Sequence, residues 1–133
     1  MGELLEIWLK QNHGEPMIPL VEAEVRAGEG IRDSAKEPHA DRQVTVLSKE
    51  SWEAATRSIG EFVDPKERRA NFIVSGVTLE ETMGKILQIG ELQIEVTGET
   101  VPCKLMNEVS EGLRDALKPS WRGGITGSVI NDC

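Results

Sequence analysis

Lys85-Ile86-Leu87-Gln88-Ile89-Gly90-Glu91-Leu92-Gln93-Ile94-Glu95-Val96-Thr97 is the stretch on which the fold turns. Its apolar residues, Ile86, Leu87 and Ile89 before Gly90 and Leu92, Ile94 and Val96 after it, alternate with polar ones. A period of two places alternate side chains on one face, so the stretch, alternating around Gly90, is the strongest β signal in the chain. Downstream, after Pro102-Cys103, the residues Leu105, Val109, Leu113 and Leu117 recur every four positions and predict one helix running toward Pro119. Gly123-Gly124-Ile125-Thr126-Gly127-Ser128-Val129-Ile130 then reads as a closing strand, with β-branched residues after a glycine pair.

Upstream, Asn71-Phe72-Ile73-Val74 and Val77 to Leu79 are short apolar segments around Gly76. Gln43-Val44-Thr45-Val46-Leu47 is strand-like, and Ser48 is placed to cap a helix through Ser51-Trp52-Glu53-Ala54-Ala55. The charged stretch 28–42 reads as a long surface loop, a candidate site wall. Ile18 to Val25 is a further apolar segment, and Leu4 to Leu9 suits a first strand ended by Asn12-His13-Gly14. Short strands with glycine-punctuated turns and about two short-to-medium helices predict a mainly β fold with minor α, a barrel-like antiparallel sheet.

The chain has 133 residues, the size of a single domain, and neither a repeat nor a linker-like composition divides 1–133. No run approaches the roughly 20 apolar residues of a membrane span, and the start Met1-Gly2-Glu3-Leu4-Leu5-Glu6 lacks the basic-then-apolar order of a secretory leader. A cytoplasmic protein with no membrane partner is expected. The net charge of −8 opposes non-specific nucleic-acid binding, since a polyanion would be repelled. The two cysteines, Cys103 and Cys133, supply neither a disulfide framework nor a Cys-rich zinc site.

Cys103 precedes the predicted helix, where unsatisfied N–H groups and the helix dipole favour a thiolate, and Lys104 adds positive charge beside it. A thiolate there could act as nucleophile, sulfur acceptor or soft-metal ligand. A buried structural cysteine is the competing reading, and composition alone favours it. His13 and His39 lie in no metal-binding spacing. His39 shares the charged loop with Arg32, Asp33, Asp41 and Arg42, although nothing in the spacing specifies a Cys103–His39 dyad. Gly28-Glu29-Gly30 lacks the remainder of a dinucleotide-binding pattern.

In order along almost the whole chain, these segments resemble the MOSC domain family, the molybdenum-cofactor sulfurase C-terminal domain. Gly28-Glu29-Gly30-Ile31-Arg32-Asp33 resembles the family's Gly-Ile/Leu-x-Gly-Asp-x-His loop, with Arg32 where a glycine is usual. Arg42-Gln43-Val44-Thr45-Val46-Leu47 with Glu50 is similar to Arg-Gln-Val-Thr-Leu-Leu…Glu. Arg69-Ala70-Asn71-Phe72 with Gly76-Val77-Thr78-Leu79 is similar to Arg-x-Asn-Ile…Gly-Leu-x-Leu. Gly90 to Thr97 leading to Pro102-Cys103 resembles Gly-x-x-Leu-x-Val-Thr…Pro-Cys, and Arg122-Gly123-Gly124-Ile125 resembles Arg-Gly-Gly-Val. The family's later Gly-Asp-x-Val segment has no counterpart.

The resemblance implies a MOSC-type β-barrel associated with the molybdenum cofactor. It implies that Cys103 carries persulfide sulfur or meets the molybdenum, and that Arg32, Asp33, His39, Arg69, Asn71 and Lys104 line the cofactor cleft, where arginine and asparagine could hold the pterin phosphate and polar edges. A sulfur carrier or cofactor-binding module served by a pyridoxal-phosphate cysteine desulfurase, or serving a molybdoenzyme, is the leading expectation. The alternatives are a molybdenum-dependent reductase of N-hydroxylated compounds and a non-catalytic barrel that binds a small anion or a protein. Two cysteines cannot build a four-cysteine cluster, so such a reductase would take electrons from another protein.

Overall fold

The computed structural model describes residues 3–9, 18–20, 24–27, 30–31, 44–60, 63–64, 70–89, 91–100, 106–107 and 110–131. In chain order these form β1 (Glu3–Leu9), β2 (Ile18–Leu20), β3 (Val25–Arg26), β4 (Gly30–Ile31), β5 (Val44–Ser48), α1 (Lys49–Ser58), β6 (Phe72–Ser75), β7 (Ile86–Ile89), β8 (Leu92–Glu99), α2 (Leu113–Leu117), a 3-10 turn (Pro119–Trp121) and β9 (Ile125–Val129). Seven strands make one curled, open-barrel sheet in the order β2-β1-β6-β5-β9-β8-β7, and β3 and β4 pair separately.

The β signal around Gly90 is borne out by two antiparallel strands, β7 and β8, in which Ile89 pairs with Leu92 and Ile86 with Glu95. Along β8, Leu92, Ile94 and Val96 are buried on the inner face of the sheet, as the pattern predicts. Opposite them Gly127 of β9 lies against Ile94 and the Glu95 carbonyl, so close that a methyl group could not be accommodated.

Elsewhere the pairing departs from a wholly antiparallel barrel. β5 and β6 run parallel, Val46 beside Phe72 and Ser48 beside Val74, because α1 carries the chain back between them. α1 begins where the sequence predicts: Ser48 Oγ accepts a hydrogen bond from Ser51 N at 3.4 Å, and Glu50 sits in the first turn, where negative charge complements the helix dipole. Trp52, Ala55 and Thr56, spaced three and four apart, form its buried face. The strand read as the last to close the sheet, β9, lies in its interior, paired with β5 on one side and β8 on the other.

β5 and β6 carry buried apolar residues on both of their faces. Val44, Val46, Phe72 and Val74 face the inner core with Ile94, Val96 and Ile125. Leu47 and Ile73 face the other way, onto Trp52, Ala55, Leu113 and Leu117 of the two helices. Trp52 is anchored there by donating from its Nε1 to the Val63 carbonyl at 2.7 Å.

Two expectations are corrected. Within the stretch 28–42, read as surface loop, Gly30–Ile31 is a strand paired with β3, and Ile31 is buried in the inner core. The helix expected from Leu105 to Leu117 is not continuous. Gly112 has φ of 85°, a left-handed conformation that interrupts helical geometry, and α2 starts after it. Leu113 and Leu117 still share a buried face as their spacing requires. Leu105 and Val109 lie outside the described residues.

Candidate functional site

Of the residues singled out as a site, the structure describes Asn71; Cys103, Arg32, Asp33, His39, Arg69 and Lys104 lie outside the described residues. Asn71 immediately precedes β6 and is 8% exposed. Its Oδ1 accepts from Thr45 N at 3.0 Å and from Thr45 Oγ1 at 3.3 Å, and its Nδ2 donates to the Trp8 carbonyl at 3.2 Å. Its main chain repeats the link, with Asn71 N donating to the Thr45 carbonyl at 3.1 Å and Trp8 N to the Asn71 carbonyl at 2.7 Å. One amide thus joins β1, β6 and β5 at the point where β6 enters the sheet. One N–H of the side chain remains beyond these bonds for a further acceptor.

Replacing Asn71 with alanine leaves the Thr45 N–H and the Trp8 carbonyl without these partners in a buried setting. A loss of about 2–4 kcal/mol is expected, from the cost of two buried polar groups. It should appear as a lower denaturant midpoint with an unchanged m-value. An unchanged midpoint would show that water replaces the amide at no cost.

The row of polar side chains begun by Asn71 continues across the same face of the sheet. Thr45 sits opposite Thr126 on β9, and Thr97 and Thr126 share a hydrogen bond between hydroxyls at 3.2 Å. Thr126 is buried although its neighbours on this face are hydroxyl-bearing rather than apolar. The sequence shows threonines in three strands. Only the register reveals that they line up.

The segment that leads to Cys103 leaves the sheet two rows further along. β8 ends at Glu99, opposite Ile125, and Thr100 N donates to the Gly124 carbonyl at 2.9 Å. Gly124 in turn lies against the Val46 carbonyl and Leu47 Cα, with φ of 96°. Beside it are the carboxyl ends of the parallel strands β5 and β6 and the start of α1. Here Glu50 Oε1 accepts from Gly76 N at 2.7 Å, and a cleft of about 300 Å³ opens between Ser48, Ser51, Thr78 and Glu80. Open α/β sheets bind ligands outside the carboxyl ends of parallel strands, so this cleft is a candidate site. The sequence signals for it were Ser48 as helix cap and Gly76 between two apolar segments, both read as structure. A second cleft of about 230 Å³, more enclosed, lies between Leu5, Lys49, Trp52, Thr56 and Val63 on the outer side of α1 and β1. Among the described residues no group of three His, Cys, Asp or Glu side chains is placed to hold a metal ion, and no helix is long and apolar enough to cross a membrane.

A family model described as MOSC domain matches residues 10–131. No curated protein matches the chain. Among solved structures, the chain is similar to the YuaD protein from Bacillus subtilis, with a TM-score of 0.76 at 16% identity over 100% of this chain and 90% of that one. It is also similar to YiiM from Escherichia coli, with a TM-score of 0.70 at 21% identity over 99% of this chain and 64% of that one. YiiM from Geobacillus stearothermophilus gives 0.75 at 14% identity, over 100% and 70%. At these identities the likeness is one of fold, and the chain spans less than two thirds of the Escherichia coli protein.

Proposed function

The chain belongs to the MOSC domain family, and from that premise we propose that it is a sulfur-carrier or molybdenum-cofactor-binding module that works through Cys103. The observation that carries this reading is the fixed exit of β8. Thr100, three residues before Cys103 in sequence, donates from its N–H to the Gly124 carbonyl and so extends the β8–β9 pairing to the last described residue before the Pro102-Cys103 motif.

The donor set suits the cofactor by its chemistry. A thiolate is a soft ligand for molybdenum, and the guanidiniums of Arg32 and Arg69 match a phosphate bidentately. Asp33, His39, Lys104 and the remaining N–H of Asn71 would meet the polar edges of the pterin. The cofactor itself supplies the metal redox chemistry when bound. In the sulfur-carrier mode the Cys103 thiolate attacks the persulfide of a pyridoxal-phosphate cysteine desulfurase, takes its outer sulfur and releases the desulfurase thiolate.

Anaerobic titration with molybdenum cofactor tests the reading, with metal content and Cys103 alkylation followed in the same samples. Stoichiometric molybdenum together with a protected Cys103 is expected. No bound molybdenum and a freely alkylated Cys103 would overturn the cofactor-binding mode. A non-catalytic barrel is the second reading, favoured by the internal engagement of Asn71, whose amide is largely occupied in joining three strands.

A further inference from the structure

The second cleft, the one of about 230 Å³ between β1 and α1, has a local cause. Along β1, Leu4 pairs with Val74 and Glu6 with Ile73, so Leu5 stands between them as the extra residue of a bulge. A bulge of this kind re-aims a side chain. Leu5 and Glu6, which regular pleating would send to opposite faces, both line the cleft, and Leu5 is 38% exposed. Trp52 and Ile73, packed together on the helix side of the sheet, complete the apolar lining with Val63.

The polar groups of these walls are spent within the protein. Trp52 Nε1 donates to the Val63 carbonyl at 2.7 Å, and Thr56 Oγ1 shares its proton between the Trp52 and Glu53 carbonyls at 3.1 and 3.2 Å. What remains at the rim is charge. Lys49 Nζ lies 3.7 Å from Glu53 Oε1, so that cation and that carboxylate answer each other. Glu6 Oε1 accepts from Trp8 Nε1 at 3.0 Å, a neutral donor that leaves the negative charge of the carboxylate in place. Asp64 stands on the same rim.

Size and charge together select a class of ligand. Sites for drug-sized molecules run from about 300 to 1,000 Å³, so this smaller cleft has room for one ring or one branched chain. Its apolar walls stabilise such a group by burial, and Glu6 favours a positive charge beside it over a negative or neutral polar one. We propose that the cleft is a binding site for a small organic cation, a primary ammonium carried on an apolar body of about one ring, with Glu6 facing the ammonium and Leu5, Trp52, Val63 and Ile73 enclosing the body. The occupant is a free small molecule, because the hollow matches one such group in volume and carries the counter-charge on its own rim. The site shares no residue with the proposed cofactor cleft, so either can fail without the other.

Proton–nitrogen correlation spectra of the whole chain, titrated with phenethylammonium, test this directly. Phenylacetate and 2-phenylethanol present the same ring with a negative charge and with none, and methylammonium presents the charge without the ring. Phenethylammonium should shift the amide signals of Leu5, Glu6, Trp52 and Val63 together and to saturation, with a dissociation constant lower than that of phenylacetate by about fivefold or more, the value of one charge contact at an exposed rim. Methylammonium should leave these signals in place at the concentration that half-saturates the site with phenethylammonium. Glu6→Gln keeps an acceptor for Trp8 Nε1 and removes the charge alone, so it should bind phenethylammonium and 2-phenylethanol equally. No saturable shift at Leu5, Trp52 and Val63 with about 10 mM phenethylammonium, equal binding of phenylacetate, or a preference for the cation that survives in Glu6→Gln would each overturn the proposal.

Discussion

Gly124→Ala should destabilise the protein by about 3–5 kcal/mol, a sum of left-handed backbone strain and overpacking. The residue has φ of 96°, and a Cβ there would press on the Val46 carbonyl oxygen while standing 3.2 Å from Val46 C and 3.4 Å from Leu47 Cα. All of these are main-chain atoms of β5, which cannot swing aside as a side chain could. Relief would require β9 to part from β5 at the point where the two halves of the sheet meet. Since domains are stable by about 5–15 kcal/mol, a loss of this size takes much of the total. Gly98→Ala is the control, because a Cβ at Gly98 meets nothing within 4 Å. Chemical denaturation of both should separate them clearly. Equal midpoints would mean that the Gly124 turn can relax.

Cys103→Ser should abolish sulfur loading and molybdenum retention, if the thiol is the group that the proposed function requires. Serine keeps the shape but replaces a polarisable sulfur with a hard hydroxyl, which at neutral pH is neither an effective nucleophile nor a soft ligand. Incubation with a cysteine desulfurase and free cysteine, followed by intact-mass measurement, should add the mass of one sulfur atom to the parent and none to the variant. Cys133→Ser should load as the parent does, so a general thiol effect is distinguished from a site. Loading and molybdenum retention by Cys103→Ser equal to the parent would sink the proposed role.

The parts of the fold that could be read from sequence are those whose cause is local. The β signal of β7 and β8 rests on alternation about Gly90, and the start of α1 on the side chain of Ser48, each acting within a few residues. Pairing between distant strands has no such signal. Nothing in Val44 to Ser48 announces that β6 will lie beside it in parallel and β9 on its other side, since that order results from both faces of β5 being covered. The spacing by four ahead of Pro119 predicts a longer helix than forms, because Ser110-Glu111-Gly112, a turn-forming group, interrupts it. Asn71 could be singled out only through family resemblance. Its actual partners, Thr45 and Trp8, are 26 and 63 residues away in sequence, beyond the reach of any local rule.

The interior position of β9 also has a bearing on how the chain is made. β9 is what joins the block β2-β1-β6-β5 to the hairpin β8-β7. On a ribosome the first block and the hairpin emerge before Ile125–Val129 and hold bare strand edges toward each other until those residues arrive. This sheet is therefore completed only after β9 has been made, and until then the edges of β5 and β8 are where a nascent chain would depend on chaperones.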